Sequence, residues 1–250
     1  MQQFFAEPSM IREGHVFLEG PDVNHMKNVL RMKQGEDVRI SDSTGKTYLC
    51  SIQAYEEKRA VLDILKELDA DTELLSRIWL FQGLPKGDKM ELIVQKAVEL
   101  GVYSVVPFSA KRSIVRLDEM KAEKKRNRWQ AVAKGAAEQS GRSIIPEVQP
   151  LRDLAGALQM AAGLDVVLIP YEQEEGMKGM ARAVSGIRPG QSVGVFIGPE
   201  GGFEEEEVRQ AVESGAVPVS LGKRILRTET AGLAVLSILM YHLECESHNL

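Results

Sequence analysis

The sequence predicts an α/β protein in two parts, a small N-terminal β-barrel followed by a larger α/β domain, on three observations. Up to about residue 70 the pattern is short strands and turns. From Arg77 onward apolar strands alternate with amphipathic helices. Between them LDADTELLS has the composition of a linker, which sets domains of 1–70 and 74–250.

In the first part HVFLEG, DVRISDS, KTYLCSIQAY and RAVLDILKEL read as strands, with a turn at Ser43-Thr44-Gly45 and one short helix over residues 22–32. In the second, RIWLFQG is a strand, KGDKMELIVQKAVELG a helix closed by Gly101, YSVVPFS a strand and DEMKAEKKRNRWQAVAKGAAEQSG a long helix. DVVLIPY, GMKGMARAVSG, SVGVFIG, EEEEVRQAVESG and AVPVSLG continue the alternation, and a helix over residues 228–243 ends it. Strands separated by helices of this length argue for a mostly parallel sheet covered on both faces, with ligands at the carboxyl ends of the strands.

Composition narrows the class. The chain has 250 residues, 44% hydrophobic and 27% charged, an ordinary globular mixture. No apolar run reaches the roughly 18 residues that span a bilayer, and MQQFFAEPSMIREG has neither a basic n-region nor an apolar h-region, so the expectation is a cytoplasmic protein with no membrane segment. Cys50 and Cys245 lack CxxC or Cys/His spacing, which points to free thiols and no structural zinc. The net charge of -5 argues against indiscriminate coating of nucleic acid, yet residues 111–142 carry ten Lys or Arg against four acids. That local excess is either a nucleic-acid footprint or a solvated helix face.

Three loops leave strand ends that this alternation brings together: IPYEQEEG, GPEGGFEEEE and LGKRILRTET. Glycines at 198, 201, 202 and 222 let backbone approach a ligand closely. Neither GxxxxGK[ST] nor GxGxxG is present, and Glu204 to Glu207 would repel a pyrophosphate at the helix start. The same acids also complement a helix dipole whatever the ligand, and GPEGG also reads as a tight turn. A ligand adenosine-like at one end and cationic at the other suits the loops, and S-adenosylmethionine is such a ligand.

IGPEGGF followed by LGKRILRTETA resembles the signature of the SPOUT-superfamily enzymes that methylate N3 of a uridine in 16S ribosomal RNA, the RsmE family. NHMKNVLRMKQGE, QKAVELGV, KRS, RWQAVAKGAAEQSGR and IP resemble further segments of that family, so the likeness covers nearly the whole chain. It implies a PUA-like RNA-binding barrel and a methyltransferase domain whose final segment threads a preceding loop, a trefoil knot that forms the cofactor pocket. Cofactor contacts then fall on Leu168 and Pro170, on Ile197, Gly198 and Gly202, and on Ser220, Leu221, Gly222, Ile225, Leu226, Arg227 and Ala231. One departure is Gln3 before Phe4-Phe5, where the family often has arginine.

Methylation at N3 displaces a proton and spreads charge onto two carbonyl oxygens, so the site needs a proton acceptor or a cation facing that charge. Arg227 is the candidate cation, with a salt bridge to Glu229 as its structural alternative; Glu200 and Glu229 are the candidate bases. No metal is required, because a sulfonium is already an activated methyl donor. RNA contacts are assigned to Arg12, His25, Arg31, Arg112, Gln139 with Ser140, and Arg142, and Tyr171 stacks on adenine or on a base or belongs to the core. The partners implied are 16S ribosomal RNA or the small ribosomal subunit and a second copy of the chain, because TAGLAVLSILMYHL is apolar on several faces. In that homodimer each site is assembled from both chains. The competing reading is a non-catalytic RNA-binding protein with a degenerate α/β domain; a nucleotide-dependent oxidoreductase lacks its fingerprint.

Overall fold

The protein, described by a computed structural model over residues 1–69, 72–171 and 176–247, divides into Met1–Glu73 with Ala137–Ile145 and Leu74–Ala136 with Pro146–Leu250. Residues 70–71 of the expected linker and 172–175 of the IPYEQEEG loop lie outside the described residues.

Six strands build the first unit: β1 (Gln3–Phe5), β2 (Ile11–Arg12), β3 (His15–Glu19), β4 (Asp37–Ser41), β5 (Thr47–Tyr55) and β6 (Arg59–Leu68). Their order is β1-β4-β5-β6-β3-β2, with only the β1/β4 pair parallel. The period of two is plain in the burial: Val16 and Leu18, Val38 and Ile40, Cys50 and Ile52, Ala60 and Leu62 all join one core with Phe4. Segments outside the strands add Ala6, Val23, Met26 and a few partly buried neighbours, too little to cover six strands. The sheet therefore covers its own face by curling, as a small barrel does. The expected helix over 22–32 is broken into α1 (Pro21–Asn24) and a π-helical turn, His25–Val29, in which Leu30 N–H reaches the His25 carbonyl. Neither cysteine forms a disulfide, and burial pushes the Cys50 thiol up to about 12.

The second unit alternates as the sequence predicts: β7 (Arg77–Gly83), α2 (Lys89–Glu99), β8 (Ser104–Ser109), α3 (Glu119–Ser140), β9 (Glu147–Val148), β10 (Arg152–Asp153), α4 (Leu154–Ala161), β11 (Val166–Pro170), α5 (Lys178–Ser185), β12 (Ser192–Ile197), α6 (Glu205–Glu213), β13 (Val217–Val219) and α7 (Thr228–Ser247). The sheet runs β10-β8-β7-β12-β11-β13, with β9 on β8 and every pairing parallel. Both faces are dry. On one, Phe81 stacks on Phe196 with centroids 4.3 Å apart, and Phe203, Ala157, Leu158, Val208 and Ala211 complete the layer. On the other, α2 packs on α7, burying Ile93, Val94 and Val98 of one and Val235, Leu236, Leu239 and Leu243 of the other. Alternate residues of the central strands thus serve opposite layers, and this explains their continuous apolar runs.

Candidate active site

The chain lays β7 down first, extends the sheet one way to β8 and β10, then returns so that β12 inserts between β7 and β11. A reversal of that kind leaves a crevice at the carboxyl ends of the strands. The segments after β11, β12 and β13 there bound a cavity of about 500 Å³. Pro170, Ile197, Gly198, Gly202, Ser220, Leu221, Gly222, Ile225, Leu226, Arg227 and Ala231 all border it. Leu168 does not: it is fully buried inside the sheet, paired with Val195 and Val217, two residues below the strand end. Ile225 borders the cavity only at its mouth, since the residue is 89% exposed.

The glycines act chiefly on the loop itself. A Cβ on Gly198 would stand 3.1 Å from the Gly202 carbonyl carbon, and one on Gly83 would stand 2.8 Å from Pro199, so the GPEGG loop folds tightly over its own backbone and over the end of β7. Gly222, with φ +100°, sits where an L side chain is strained. Below the loop, Gln82 Nε2 donates to Thr228 Oγ1 at 2.9 Å, and Thr228 Oγ1 donates to the Gly198 carbonyl at 2.6 Å. This buried chain ties the start of α7 to β7 and to the β12 loop.

Glu200 on the cavity wall accepts from Lys86 N–H at 3.1 Å and from Lys89 Nζ at 2.9 Å. Burial alone would raise its pKa, but the Lys89 hydrogen bond and the backbone donors outweigh it and hold the carboxyl below the usual range. Lys89, raised chiefly by its Glu200 hydrogen bond, also stands 3.4 Å from Glu229 Oε2. The two candidate bases are therefore joined by one ammonium, and Glu229 itself does not border the cavity. Arg227 is exposed on the wall, and no carboxylate pairs with it among the described residues, so the expected alternative of an Arg227–Glu229 bridge is not what forms. The run of acids has a local explanation: Glu204 and Glu207 form a capping box, and buried Glu207 also accepts from Lys111 N–H at 2.8 Å.

The RNA candidates separate into committed and uncommitted side chains. Arg142 is a correction: it is 3% exposed and held by Glu73, its Nε 3.1 Å from Oε2, so it is a buried structural cation and not a surface contact. Gln3 explains the departure in the first strand: it is buried and donates to the Arg142 carbonyl at 2.6 Å. Arg112 donates to the Gly201 carbonyl at 3.0 Å, bracing the GPEGG loop. Arg12 lies over the Phe17 ring at 4.9 Å, His25 is exposed with its ring edge-on to Phe4, Arg31 is exposed at φ 55°, and Gln139 is exposed on the last turn of α3. Within 111–142, Lys111, Lys121, Arg126, Arg128 and Arg142 are each paired with a carboxylate, which shrinks the basic excess. Sequence reasoning passed over Gln82 and Lys89. A glutamine closing the apolar run RIWLFQ was the available signal for the first, whereas Lys89 carried none beyond a poor imitation of a phosphate-binding loop.

A parallel α/β layer with its cavity at the strand carboxyl ends, preceded by a small curled β unit, defines a two-part enzyme. An RNA methyltransferase domain model matches residues 72–240, and an RNA methyltransferase PUA domain model matches residues 18–65. Among curated relatives, the ribosomal RNA small subunit methyltransferase E of Bacillus subtilis (strain 168) is 38% identical over 98% of each chain. That of Aquifex aeolicus (strain VF5) is 31% identical over 96% of this chain and 99% of its own. A crystal structure of ribosomal RNA small subunit methyltransferase E from Neisseria gonorrhoeae bound to S-adenosyl methionine superposes with a TM-score of 0.85 at 36% identity, covering 96% of this chain and 97% of that one. The chain belongs to the ribosomal RNA small subunit methyltransferase E family.

Proposed function

We propose that the cavity holds S-adenosylmethionine and that the protein methylates N3 of a uridine in 16S ribosomal RNA. The observation that carries this reading is a cavity of about 500 Å³ at the carboxyl ends of adjacent parallel strands, in a chain whose relatives are named as small-subunit ribosomal RNA methyltransferases. The wall fits the ligand. Gly198, Gly202, Ser220, Gly222 and Ala231 leave room for a flat adenosine, and Pro170, Ile197, Leu221 and Leu226 are apolar faces for it.

Bound there, S-adenosylmethionine would supply a methyl group already activated by its sulfonium. The protein's own part is to hold the uridine edge and to meet the charge that appears on O2 and O4 as the N3 proton leaves. Arg227, on the wall and with no carboxylate partner among the described residues, is the group for that charge. Glu200 is ionised but saturated with donors, which makes it an anchor for Lys89 and the α2 start more than a base. Glu229 is engaged by the same lysine and set back from the cavity.

Three finer features complete the reading. The segment after β13 passes along the cavity into α7, tied through Thr228 to Gly198, and this supports the threaded, knotted arrangement. Tyr241, 70% exposed, joins Ile238, Met177 and Met180 around an apolar groove of about 450 Å³, which supports a homodimer through this face. No described helix is long and apolar enough to cross a membrane, and the cytoplasm, where the ribosome is assembled, is the place of action. The test is calorimetry: S-adenosylhomocysteine is expected to bind without magnesium, and heat with NAD or ATP but none with S-adenosylhomocysteine would overturn the reading.

A further inference from the structure

A uridine inside a duplex keeps N3 hydrogen-bonded at its Watson–Crick edge, out of reach of a cavity in a protein. Chemistry at that atom needs the base taken out, which costs a few kcal/mol of unstacking and leaves a gap beside its neighbours. Proteins that open such gaps fill them with an apolar side chain set among cations, the first replacing the lost stacking and the second holding the phosphates on either side.

One loop on the cavity wall has that composition. Between Gly222 and the first turn of α7 stand Lys223, Arg224, Ile225 and Arg227, all of them exposed and all bordering the cavity. Ile225 is 89% exposed, more than any other large hydrophobic residue among the exposed ones described. No ion pair or hydrogen bond engages the side chains of Lys223, Arg224 or Arg227 among the described residues, whereas most cations elsewhere in this unit's 111–128 segment are paired or braced. An aliphatic tip on a loop with three cations that no described residue compensates is poorly suited to bulk water and equally poorly suited to a dry contact with another protein, where each buried charge would need a partner. Both costs vanish against a polyanion that also has a hydrophobic gap.

We infer that the Lys223–Arg224–Ile225 loop is an RNA wedge: Ile225 enters the stack vacated by the target uridine, while Lys223 and Arg224 neutralise the flanking phosphates. This rests on the methyltransferase reading above and assigns Ile225 to the RNA rather than to the cofactor. The partner is therefore RNA with an extruded base, not a regular duplex, whose phosphates alone would not use the aliphatic tip.

The experiment uses the full-length protein and small ribosomal subunits that lack the methyl group, with three readouts: S-adenosylhomocysteine affinity by calorimetry, mass by light scattering, and single-turnover methylation. Ile225→Ala is expected to keep the affinity within about twofold and the mass unchanged, while slowing methylation at least roughly tenfold, the equivalent of 1.4 kcal/mol. Ile225→Leu should restore most of the rate. Lys223→Gln with Arg224→Gln should flatten the slope of log affinity for the subunit against log salt by about 0.7 to 0.9 per lost phosphate contact. Wild-type rate in Ile225→Ala overturns the wedge, as does a lost cofactor affinity or a halved mass, which would place Ile225 on the cofactor or on a second copy of the chain. If the unaltered protein does not methylate the subunits at all, the functional reading fails before the wedge is reached.

Discussion

Two of the loops that wall the cavity are built on opposite plans. Residues 198–204 after β12 are braced from every side: Thr228 donates to Gly198, Arg112 to Gly201, and Lys86 and Lys89 to Glu200. Residues 220–227 after β13 carry three cations that no described residue pairs and the most exposed aliphatic side chain among the described residues. One wall is fixed by its own protein, and the other is presented to something outside it. The comparison teaches that charge in a sequence does not announce its use, because Glu200 and Arg112 serve as braces while no described residue engages the Arg224 or Arg227 side chain.

The largest expected effect comes from carrying this contrast into the first unit. Arg142→Ala strands the Glu73 carboxylate beside a buried segment and should cost about 3–5 kcal/mol in chemical denaturation, the range for breaking a buried pair. Arg224→Ala, an equal loss of charge, should stay within about 0.5 kcal/mol, as surface changes do. Equal costs would erase the distinction between committed and free arginines.

Next in size is the braced loop. Gly198→Val forces a Cβ to within 3.1 Å of the Gly202 backbone, so S-adenosylhomocysteine binding should fall at least roughly a hundredfold, the order of 3 kcal/mol, while the far-ultraviolet circular dichroism keeps its native shape. Retained affinity in the variant would show that the cofactor does not sit against this loop.

A smaller effect distinguishes Glu200 by pH. Its folded pKa is lowered, so its contribution is present above the ordinary carboxylate value of about 4.3 and is lost only as pH falls through the still lower folded value. Because Glu200 braces the loop against which the cofactor is proposed to sit, cofactor affinity in the unaltered protein should hold down through the ordinary carboxylate range and weaken only below it, whereas Glu200→Gln should be weaker by about 1–2 kcal/mol at neutral pH and flat across the acid range. A variant that still weakens on acidification would assign the titration to another group.

Much of this was legible in the chain. RAVLDILKEL gives β6 with its bounds as read, and the alternation from Arg77 onward yields the parallel sheet, because strands buried on both faces must be continuously apolar. The short pieces were not: β9 and β10 have two residues each, too few to show a period, and α4 is eight residues whose start is set by the Asp153 side chain accepting from Gly156 N–H. Among site residues, the three loops were visible in their glycines and Arg227 in its place beside them. Leu168 was misplaced because a strand end cannot be read to within two residues, and Arg142 because its partner Glu73 lies 69 residues away in the sequence. Lys89 became significant only when folding brought Glu200 and Glu229 to it.

The central claim is that the braced wall holds a methyl donor and the presented wall brings a uridine to it. Small subunits from cells lacking the protein, incubated with it and isotope-labelled S-adenosylmethionine, should yield 16S ribosomal RNA in which nucleoside mass spectrometry finds labelled 3-methyluridine at a single position. Arg227→Gln should lower that rate by about 10²–10³, the range for removing one charge-stabilising donor. Label appearing in a different nucleoside, or none in ribosomal RNA while the cofactor still binds, would contradict the account.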